Sequence, residues 1–89
     1  MTIKRSALAG TLESSDALVK VAPSSGERKI ELESIVMRAY GDAIRGLIEK
    51  TLDSLDVRSG TITVTDRGAI DAVLAARVET AVRRAGGED

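Results

Sequence analysis

Residues 9–21 read Ala9-Gly10-Thr11-Leu12-Glu13-Ser14-Ser15-Asp16-Ala17-Leu18-Val19-Lys20-Val21, with apolar positions on either side of a polar turn. This pattern predicts a hairpin, because Ser and Asp side chains can bond to the backbone groups of a tight turn. We predict strands from about Ala7 to Glu13 and from Ala17 to Ala22, with Ser14 at the apex. A lone exposed hydroxyl on a firm hairpin is a poor catalyst and a good attachment point.

Length and composition favour a small surface-acting domain. The chain has 89 residues, which predicts one domain over residues 1–89 that buries about 60–65% of its unfolded surface and has no deep active site. Thirteen Lys and Arg balance 14 Asp and Glu for a net charge of -1, and Tyr40 is the one aromatic residue. Nucleic acid is therefore not expected as a partner, because it needs a basic face or stacking aromatic rings.

The absence of His and Cys argues against independent catalysis. His most often moves protons near neutral pH, and Cys supplies thiolate nucleophiles and metal ligands. No cluster of carboxylates stands in for these metal ligands in the sequence, so we expect no metal site. No run approaches the roughly 20 apolar residues of a membrane span, and the N-terminal apolar run is too short for a signal peptide. We therefore expect a cytoplasmic protein that is not an enzyme by itself.

The middle of the chain predicts a third strand and a long helix. After a break at residues 23–28, the alternation of polar and apolar residues over Lys29–Glu33 is typical of a half-buried strand. Ser34 is a plausible N-cap for the helix that follows. Gly41 and Gly46 either allow that helix to approach the sheet closely or are simply tolerated. The apolar stripe of this helix consists of Val36, Tyr40, Ile44, Leu47, Ile48, Leu52 and Leu55.

The remainder predicts one more strand and one more helix. Residues Thr61–Thr65 are rich in β-branched side chains and follow a break at 56–60. Asp66 is a possible cap for the last helix, and we expect residues 86–89 to fray. The apolar stripe of the last helix consists of Ile70, Val73, Leu74, Val78, Ala81, Val82 and Ala85.

The predicted element order is β-β-β-α-β-α. Helices with one apolar stripe and strands with one apolar face pack best as a two-layer α+β sandwich, with both helices on one face of a four-stranded sheet. The sequence leaves the strand order open.

Two serines are candidates for covalent modification. Asp53-Ser54-Leu55 matches the tripeptide that bears phosphopantetheine in helical carrier proteins, but Ser54 is predicted to close a helix and Leu55 belongs to a buried stripe. We therefore favour a structural role for Ser54. Ser14 has the better context, although a polar hairpin tip is most often only a solvated turn.

Several segments resemble the acyl carrier (gamma) subunit of bacterial citrate lyase. Their order and spacing are kept from Leu8 to Ala85. The segments are Ala9–Ser14 followed by Asp16, the pair Ala22-Pro23, Gly41–Arg45, Asp66–Asp71 and Ala76–Glu79.

This resemblance implies a covalent phosphoribosyl dephospho-coenzyme A group on a serine that corresponds to Ser14. The family usually has Glu-Ser-Gly-Asp at this turn, whereas this chain has Ser15 in place of the glycine. Ser15 is thus a second possible acceptor, and a turn that needs a positive φ would be slightly strained. The neighbouring charges Lys20, Arg28, Glu13 and Asp16 receive no firm role.

The implied function is that of a non-catalytic carrier in citrate cleavage to acetate and oxaloacetate. The arm would carry acetyl and citryl thioesters between the alpha (transferase) and beta (lyase) subunits. A prosthetic-group transferase would attach the arm, and an acetylating ligase would charge it. The alternatives are the corresponding carrier of malonate decarboxylase and an unmodified protein-interaction module.

Overall fold

A computed structural model describes residues 1–87 and contains the six elements in the predicted order. The order β-β-β-α-β-α and the α+β class are therefore confirmed. The elements are β1 (Ala7–Gly10), β2 (Ala17–Ala22), β3 (Lys29–Ser34), α1 (Met37–Ser54), β4 (Thr61–Asp66) and α2 (Asp71–Ala85).

The four strands form one mixed sheet in the order β1-β2-β4-β3. β2 pairs antiparallel with β1 and β4, whereas β3 and β4 are parallel. Asp66 at the end of β4 is opposite Ala17 on one side and Ser34 on the other, and Gly10 is opposite Leu18. One end of the sheet, which we call the apex end, therefore contains the last residues of β1, β3 and β4 and the first residue of β2.

Both helices cover the same face of the sheet. α2 packs against β1 and β2, and α1 packs against α2 and β3. Alternate residues of β2 and β4 are buried beneath the helices, as expected for strands with one apolar face. The largest buried apolar side chains, from the strands, the helices and the loop after α1, are Val19, Val21, Ile48, Leu52, Val57, Ile62, Val64, Leu74, Val78 and Val82.

The first strand is shorter than predicted. We expected β1 to reach about Glu13, but it ends at Gly10. Gly10 has φ 91°, and a Cβ on it would lie 1.8 Å from the carbonyl oxygen of Ala17. The chain leaves the ladder at this close approach, so Thr11 to Asp16 form a loop.

Both predicted helix caps are wrong. α1 has its N-cap at Val36 and α2 at Ile70, and neither has a side-chain cap. Ser34 is the last residue of β3, and its hydroxyl accepts a hydrogen bond from the Val36 amide at 3.1 Å. Asp66 is buried and accepts from the Ala69 amide at 3.0 Å, so it fixes the loop before α2. β3 and β4 each run one residue further than predicted, so α1 and α2 begin later in the sequence than predicted.

The glycines of α1 do not bring the helix against the sheet. A Cβ on Gly41 would meet the side chain of Met37 in the same helix, at 3.1 Å from its sulfur, and a Cβ on Gly46 would meet nothing within 4 Å. Close approach to the sheet is therefore wrong for both positions, and the tolerance that we weighed against it describes Gly46.

The helix stripes extend less far than predicted at the apex end. Tyr40 and Ile70 were assigned to them, but the two side chains are 60% and 69% exposed.

The predicted tail begins at Gly86, at the other end of α2. Gly86 is buried, and its amide donates to the Val82 carbonyl at 2.8 Å. The Gly87 amide donates to the Arg84 carbonyl at 3.2 Å. Positions 88 and 89, the rest of the predicted tail, lie outside the described residues.

Within residues 1–87, neither helix combines the length and the apolar character that a membrane crossing requires.

Candidate attachment site at the apex turn

Ser14 lies at the tip of a tight turn made by Glu13, Ser14, Ser15 and Asp16. The Asp16 amide donates to the Glu13 carbonyl at 3.2 Å, and Ser15 has φ 65°. A positive φ at the third turn residue is typical of a type II turn. Ser14 is exposed, and its hydroxyl bonds to no other group of residues 1–87. The hydroxyl is thus presented to solvent at the apex.

The turn is joined to β4 by a β-bulge. The Ser15 amide donates to the Arg67 carbonyl at 2.9 Å, and the Arg67 amide donates to the Asp16 carbonyl at 2.9 Å. Two residues on one chain thus face one residue on the other, with the first in the left-handed region, which is the geometry of a G1 bulge. Such a bulge normally has glycine at the position that Ser15 occupies. The strain that the sequence suggested at Ser15 is therefore confirmed by its positive φ.

Asp16 holds the base of the turn. Its carboxylate accepts from the Thr11 hydroxyl at 2.7 Å and from the Ala17 amide at 2.7 Å. The Arg77 guanidinium donates to both oxygens, at 2.9 and 3.0 Å. This two-pronged pairing links the loop to α2, and Arg–carboxylate pairs of this kind are among the stronger polar contacts in proteins.

The same contacts set the charge of Asp16. Hydrogen bonds from Arg77, then Thr11, then the Ala17 amide hold the pKa of the Asp16 carboxyl well below its usual range. The reciprocal contact raises the pKa of Arg77. Asp16 is therefore an anionic structural anchor at all ordinary pH values, and it is not poised to act as a base for Ser14.

Gly10 lets Arg77 and the loop approach each other. A Cβ there would overlap the Ala17 carbonyl and lie 3.2 Å from the Arg77 side chain. The positive φ and the closeness of these groups both require glycine.

The apex end also carries most of the large hydrophobic residues that are exposed in the described part of the chain. Six large hydrophobic residues are exposed among residues 1–87, and all except Leu8 lie at the apex end. Exposed large apolar residues at one end of a soluble protein are candidates for an interaction site where they are contiguous. The five are Leu12, Ile35, Met37, Tyr40 and Ile70.

A partly buried hydrogen-bond network around Asp66 joins the elements that carry this surface. The Ser34 hydroxyl donates to Asp66 at 2.7 Å, which ties the start of α1 to the loop before α2. Above Asp66 is a groove of about 390 Å³ between Tyr40, Ile44 and Ala69. A larger depression of about 540 Å³ lies on the open sheet face towards Ala7, Ala22 and Thr61, at the end of the strands remote from Ser14.

The other charged residues that the sequence placed near the turn are dispersed. Arg28 bonds to Asp53 at 2.6 Å, beside the last turn of α1. Lys20 is exposed on the open sheet face, three residues along β2 from Ala17. Of the four charges considered, only Glu13 and Asp16 belong to the turn.

Ser54 occupies the position predicted for a structural residue. It is the last residue of α1, and its hydroxyl donates to the Thr51 carbonyl at 2.7 Å. α1 begins at the apex end and finishes at Ser54, so Ser54 lies at the end of that helix remote from the apex turn that contains Ser14.

Sequence reasoning missed Arg67 and the partner of Arg77. In the sequence, Arg77 stood out only as part of the segment Ala76–Glu79, and its partner Asp16 is 61 residues away. The sequence offered one signal for the Arg77 contact, because the apolar stripe of α2 sets which side of the helix Arg77 occupies, but the strand order needed to place Asp16 opposite it could not be read.

Comparisons with known proteins place the chain in a family. Residues 4–85 match the family model described as "ACP: Malonate decarboxylase delta subunit (MdcD)". The citrate lyase acyl carrier protein of Enterobacter sp. strain 638 is 51% identical over 88 residues, covering 99% of this chain and 91% of the relative. That of Treponema denticola is 41% identical over 85 residues, covering 96% and 97%.

The fold is also found in a solved complex. A chain in the crystal structure of a Pseudomonas malonate decarboxylase hetero-tetramer with malonate superposes with a TM-score of 0.82, at 24% identity, covering 94% of this chain and 87% of that chain. At this identity the likeness concerns the fold alone. The level and extent of identity to the curated relatives carry the assignment further: the chain belongs to the citrate lyase acyl carrier protein family.

Proposed function

We propose that this protein is the acyl carrier subunit of a citrate lyase and that Ser14 bears its prosthetic group. The observation that carries the proposal is the exposed Ser14 hydroxyl, which has no partner within residues 1–87, at the apex of a turn fixed from three sides. The family membership supports the carrier role, since the relatives are named acyl carrier proteins.

The residues of the turn fit a covalent phosphoribosyl dephospho-coenzyme A group. Ser14 is exposed, so a large substituent on its hydroxyl can extend into solvent. Its neighbour Asp16 is committed to Arg77 and Thr11, so the turn keeps its shape when the hydroxyl is esterified. When bound, the group supplies the terminal thiol that this cysteine-free chain lacks, on which acetyl and citryl units are carried.

Attachment requires a base from outside the chain. The Ser14 Oγ attacks phosphorus of an activated phosphate donor, the Oγ–P bond forms as the bond to the leaving group breaks, and the hydroxyl proton passes to a base. Asp16 cannot supply that base because its low pKa makes it a weak proton acceptor. We therefore assign the base to the prosthetic-group transferase.

The chain's own part in the cycle is to hold the root of the arm still. A rigid root and a long tether keep the carried group at a high effective concentration near the sites of the alpha and beta subunits. All bond chemistry on citrate takes place in those subunits, so the carrier has no catalytic residue of its own. The apolar surface at the apex end, around Ile70 and Tyr40, is suited to contacting these partners.

A malonate decarboxylase carrier is the second candidate. It is favoured by the family model, whose description names that enzyme. The 41–51% identity to citrate lyase carriers, against 24% to a chain of the malonate decarboxylase structure, favours citrate lyase. The two functions are separated by mixing the loaded chain with citrate lyase subunits or with malonate decarboxylase subunits and identifying the acyl group transferred.

The attachment site is tested by intact mass. The chain is expressed with the arm-synthesis and transferase enzymes, as the natural sequence and as Ser14→Ala, Ser15→Ala and Ser54→Ala. We expect a coenzyme-A-like increment that only Ser14→Ala abolishes. Loss of the increment in Ser15→Ala alone would move the site by one residue. No increment in any sample, despite transferase that loads another citrate lyase carrier, would favour the unmodified interaction module.

A further inference from the structure

Arg67 is fixed directly beside the apex turn by its backbone. Its carbonyl accepts from the Ser15 amide and its amide donates to the Asp16 carbonyl, both at 2.9 Å. These bonds form the bulge described above, in which Arg67 is the single residue that faces Ser15 and Asp16. Its Cα is therefore held at a constant position opposite Ser15 and Asp16, the two residues that follow Ser14, whatever its side chain does.

The Arg67 side chain is available for a ligand. Residues Ile62, Val64 and Asp66 of β4 alternate towards the helices and are buried, whereas Arg67 comes next in the alternation and is exposed. Its guanidinium takes part in no ion pair or hydrogen bond with residues 1–87. The other arginine at the turn, Arg77, is committed to Asp16 through both oxygens.

The chemistry at Ser14 calls for a cation. A phosphate ester on Ser14 brings a negative charge to a turn that already carries the exposed Glu13 carboxylate. Arginine is well suited to balance it, because its planar guanidinium binds two phosphate oxygens at once.

We infer that Arg67 binds the phosphate esterified to Ser14 and so anchors the root of the prosthetic group. This inference rests on the proposed function only in that it takes Ser14 as the phosphorylated position. The contact adds an electrostatic anchor to the arm and restrains the direction in which the arm leaves the turn.

The contact is tested on the full chain with phosphoserine incorporated at position 14 as the probe. The pKa of the phosphate monoester, about 6 in an unperturbed phosphoserine, is measured by phosphorus NMR titration in the parent chain and in Arg67→Gln. A guanidinium in contact with the phosphate favours its dianion, so removal of Arg67 should raise this pKa by about half a pH unit at low salt. The shift should shrink in 1 M salt because exposed charges are screened.

Two further variants separate a specific contact from general surface charge. Arg67→Lys keeps the positive charge, so the phosphate pKa should rise less in it than in Arg67→Gln. Arg38→Gln removes another exposed arginine, in the first turn of α1, and should leave the phosphate pKa unchanged. Amide spectra check the fold, which should persist because the backbone of Arg67, not its side chain, makes the bulge. Equal pKa values in the parent and Arg67→Gln, or equal shifts in Arg67→Gln and Arg38→Gln, would overturn the inference.

This test is independent of arm loading. A chain that takes up no arm in the mass experiment but shows the Arg67-dependent shift would refute the proposed function and leave the phosphate contact standing. A chain loaded on Ser14 without that shift would do the reverse.

Discussion

At the scale of single residues, the apex turn depends on one position with unfavourable backbone geometry. Ser15 has φ 65° as the first residue of the bulge, where a side chain is disfavoured. The strain is tolerated because three other contacts fix the turn: Asp16 to Glu13, Arg67 to Asp16, and Arg77 to Asp16. The resemblance to Glu-Ser-Gly-Asp turns indicated this position correctly, since a glycine there implies a positive φ.

Replacement of Ser15 by glycine should stabilise the protein. Glycine adopts the left-handed conformation without the penalty of a Cβ, so we expect the free energy of unfolding in urea to rise by about 0.5–1 kcal/mol. Ser25→Gly is the matched control, because Ser25 is an exposed loop serine without a positive φ. It should have no effect or lower the stability slightly, since glycine only adds freedom to the unfolded chain. A stability loss in Ser15→Gly would show that the Ser15 side chain contributes to the turn.

The contribution of Asp16 should depend on pH with a defined sign. The pKa of Asp16 is lowered in the folded protein from an ordinary value of 3.8. Its stabilisation is therefore fully present above about pH 4 and is lost as the pH falls from there towards the folded value. Asp16→Asn should unfold at a lower urea concentration than the parent at pH 7, and the gap should narrow at pH 3.

The control for that titration is Asp42→Asn. Asp42 is exposed on α1 and has no ion pair within the described part of the chain. The difference between Asp42→Asn and the parent in the urea concentration of unfolding should be small at both pH values. A gap for Asp16→Asn that stayed constant from pH 7 to pH 3 would mean that its charge is not what stabilises the turn.

At the scale of elements, periodicity predicted the strands and helices but not their ends. The alternation in β3 and the β-branched run in β4 placed both strands within one residue of their observed bounds. The end of β1 could not be read, because the close contact between Gly10 and Ala17 depends on pairing between strands. The same holds for Asp66 and Ser34: each is a good cap residue by type, but pairing of β3 with β4 brings them together instead.

Gly10 should be essential to the junction of β1 and the apex loop. A methyl group there overlaps the Ala17 carbonyl at 1.8 Å and requires φ 91° from a residue with a Cβ. Gly10→Ala should therefore lower the free energy of unfolding by at least about 2 kcal/mol. Urea denaturation measures this loss. A neutral result would require the loop to re-form without the observed approach of β1 to β2.

Gly46 should show the opposite behaviour in the same measurement. It lies in the middle of α1, and a Cβ on it meets nothing within 4 Å. Alanine has the higher helix propensity, so Gly46→Ala should raise the free energy of unfolding by about 0.5–1 kcal/mol. Destabilisation by this change would point to a contact that the space around Gly46 does not reveal.

At the scale of the whole molecule, the fold gathers the candidate functional features at one end. The mixed sheet order brings the apex turn, the start of α1 and the loop before α2 to the same edge. The turn with Ser14 at its apex could be predicted from the local sequence, because a hairpin tip is a local feature, whereas the choice of Ser14 as the attachment position came from the family resemblance. The surface around it could not, since Tyr40 and Ile70 belong to segments that periodicity assigned to buried stripes. Only the strand order shows that they lie at the same end of the sheet as the turn.

That surface should matter for partners and not for folding. Ile70 is 69% exposed and is the N-cap residue of α2, so Ile70→Ser exposes no core and introduces a preferred cap residue. Stability should hold or rise slightly. If the prosthetic-group transferase contacts the apex end, removal of this apolar side chain should raise the KM for loading of Ser14 by about tenfold, as for a residue at the centre of an interface.

The control for this change is Leu8→Ser, because Leu8 is 54% exposed but lies on the open sheet face and not at the apex end. Loading rates at varied carrier concentration, followed by intact mass, separate the two surfaces. We expect Leu8→Ser to load like the parent. Equal loading of Ile70→Ser and the parent would mean that the transferase recognises the turn alone, and a defect confined to Leu8→Ser would move the contact to the open face of the sheet.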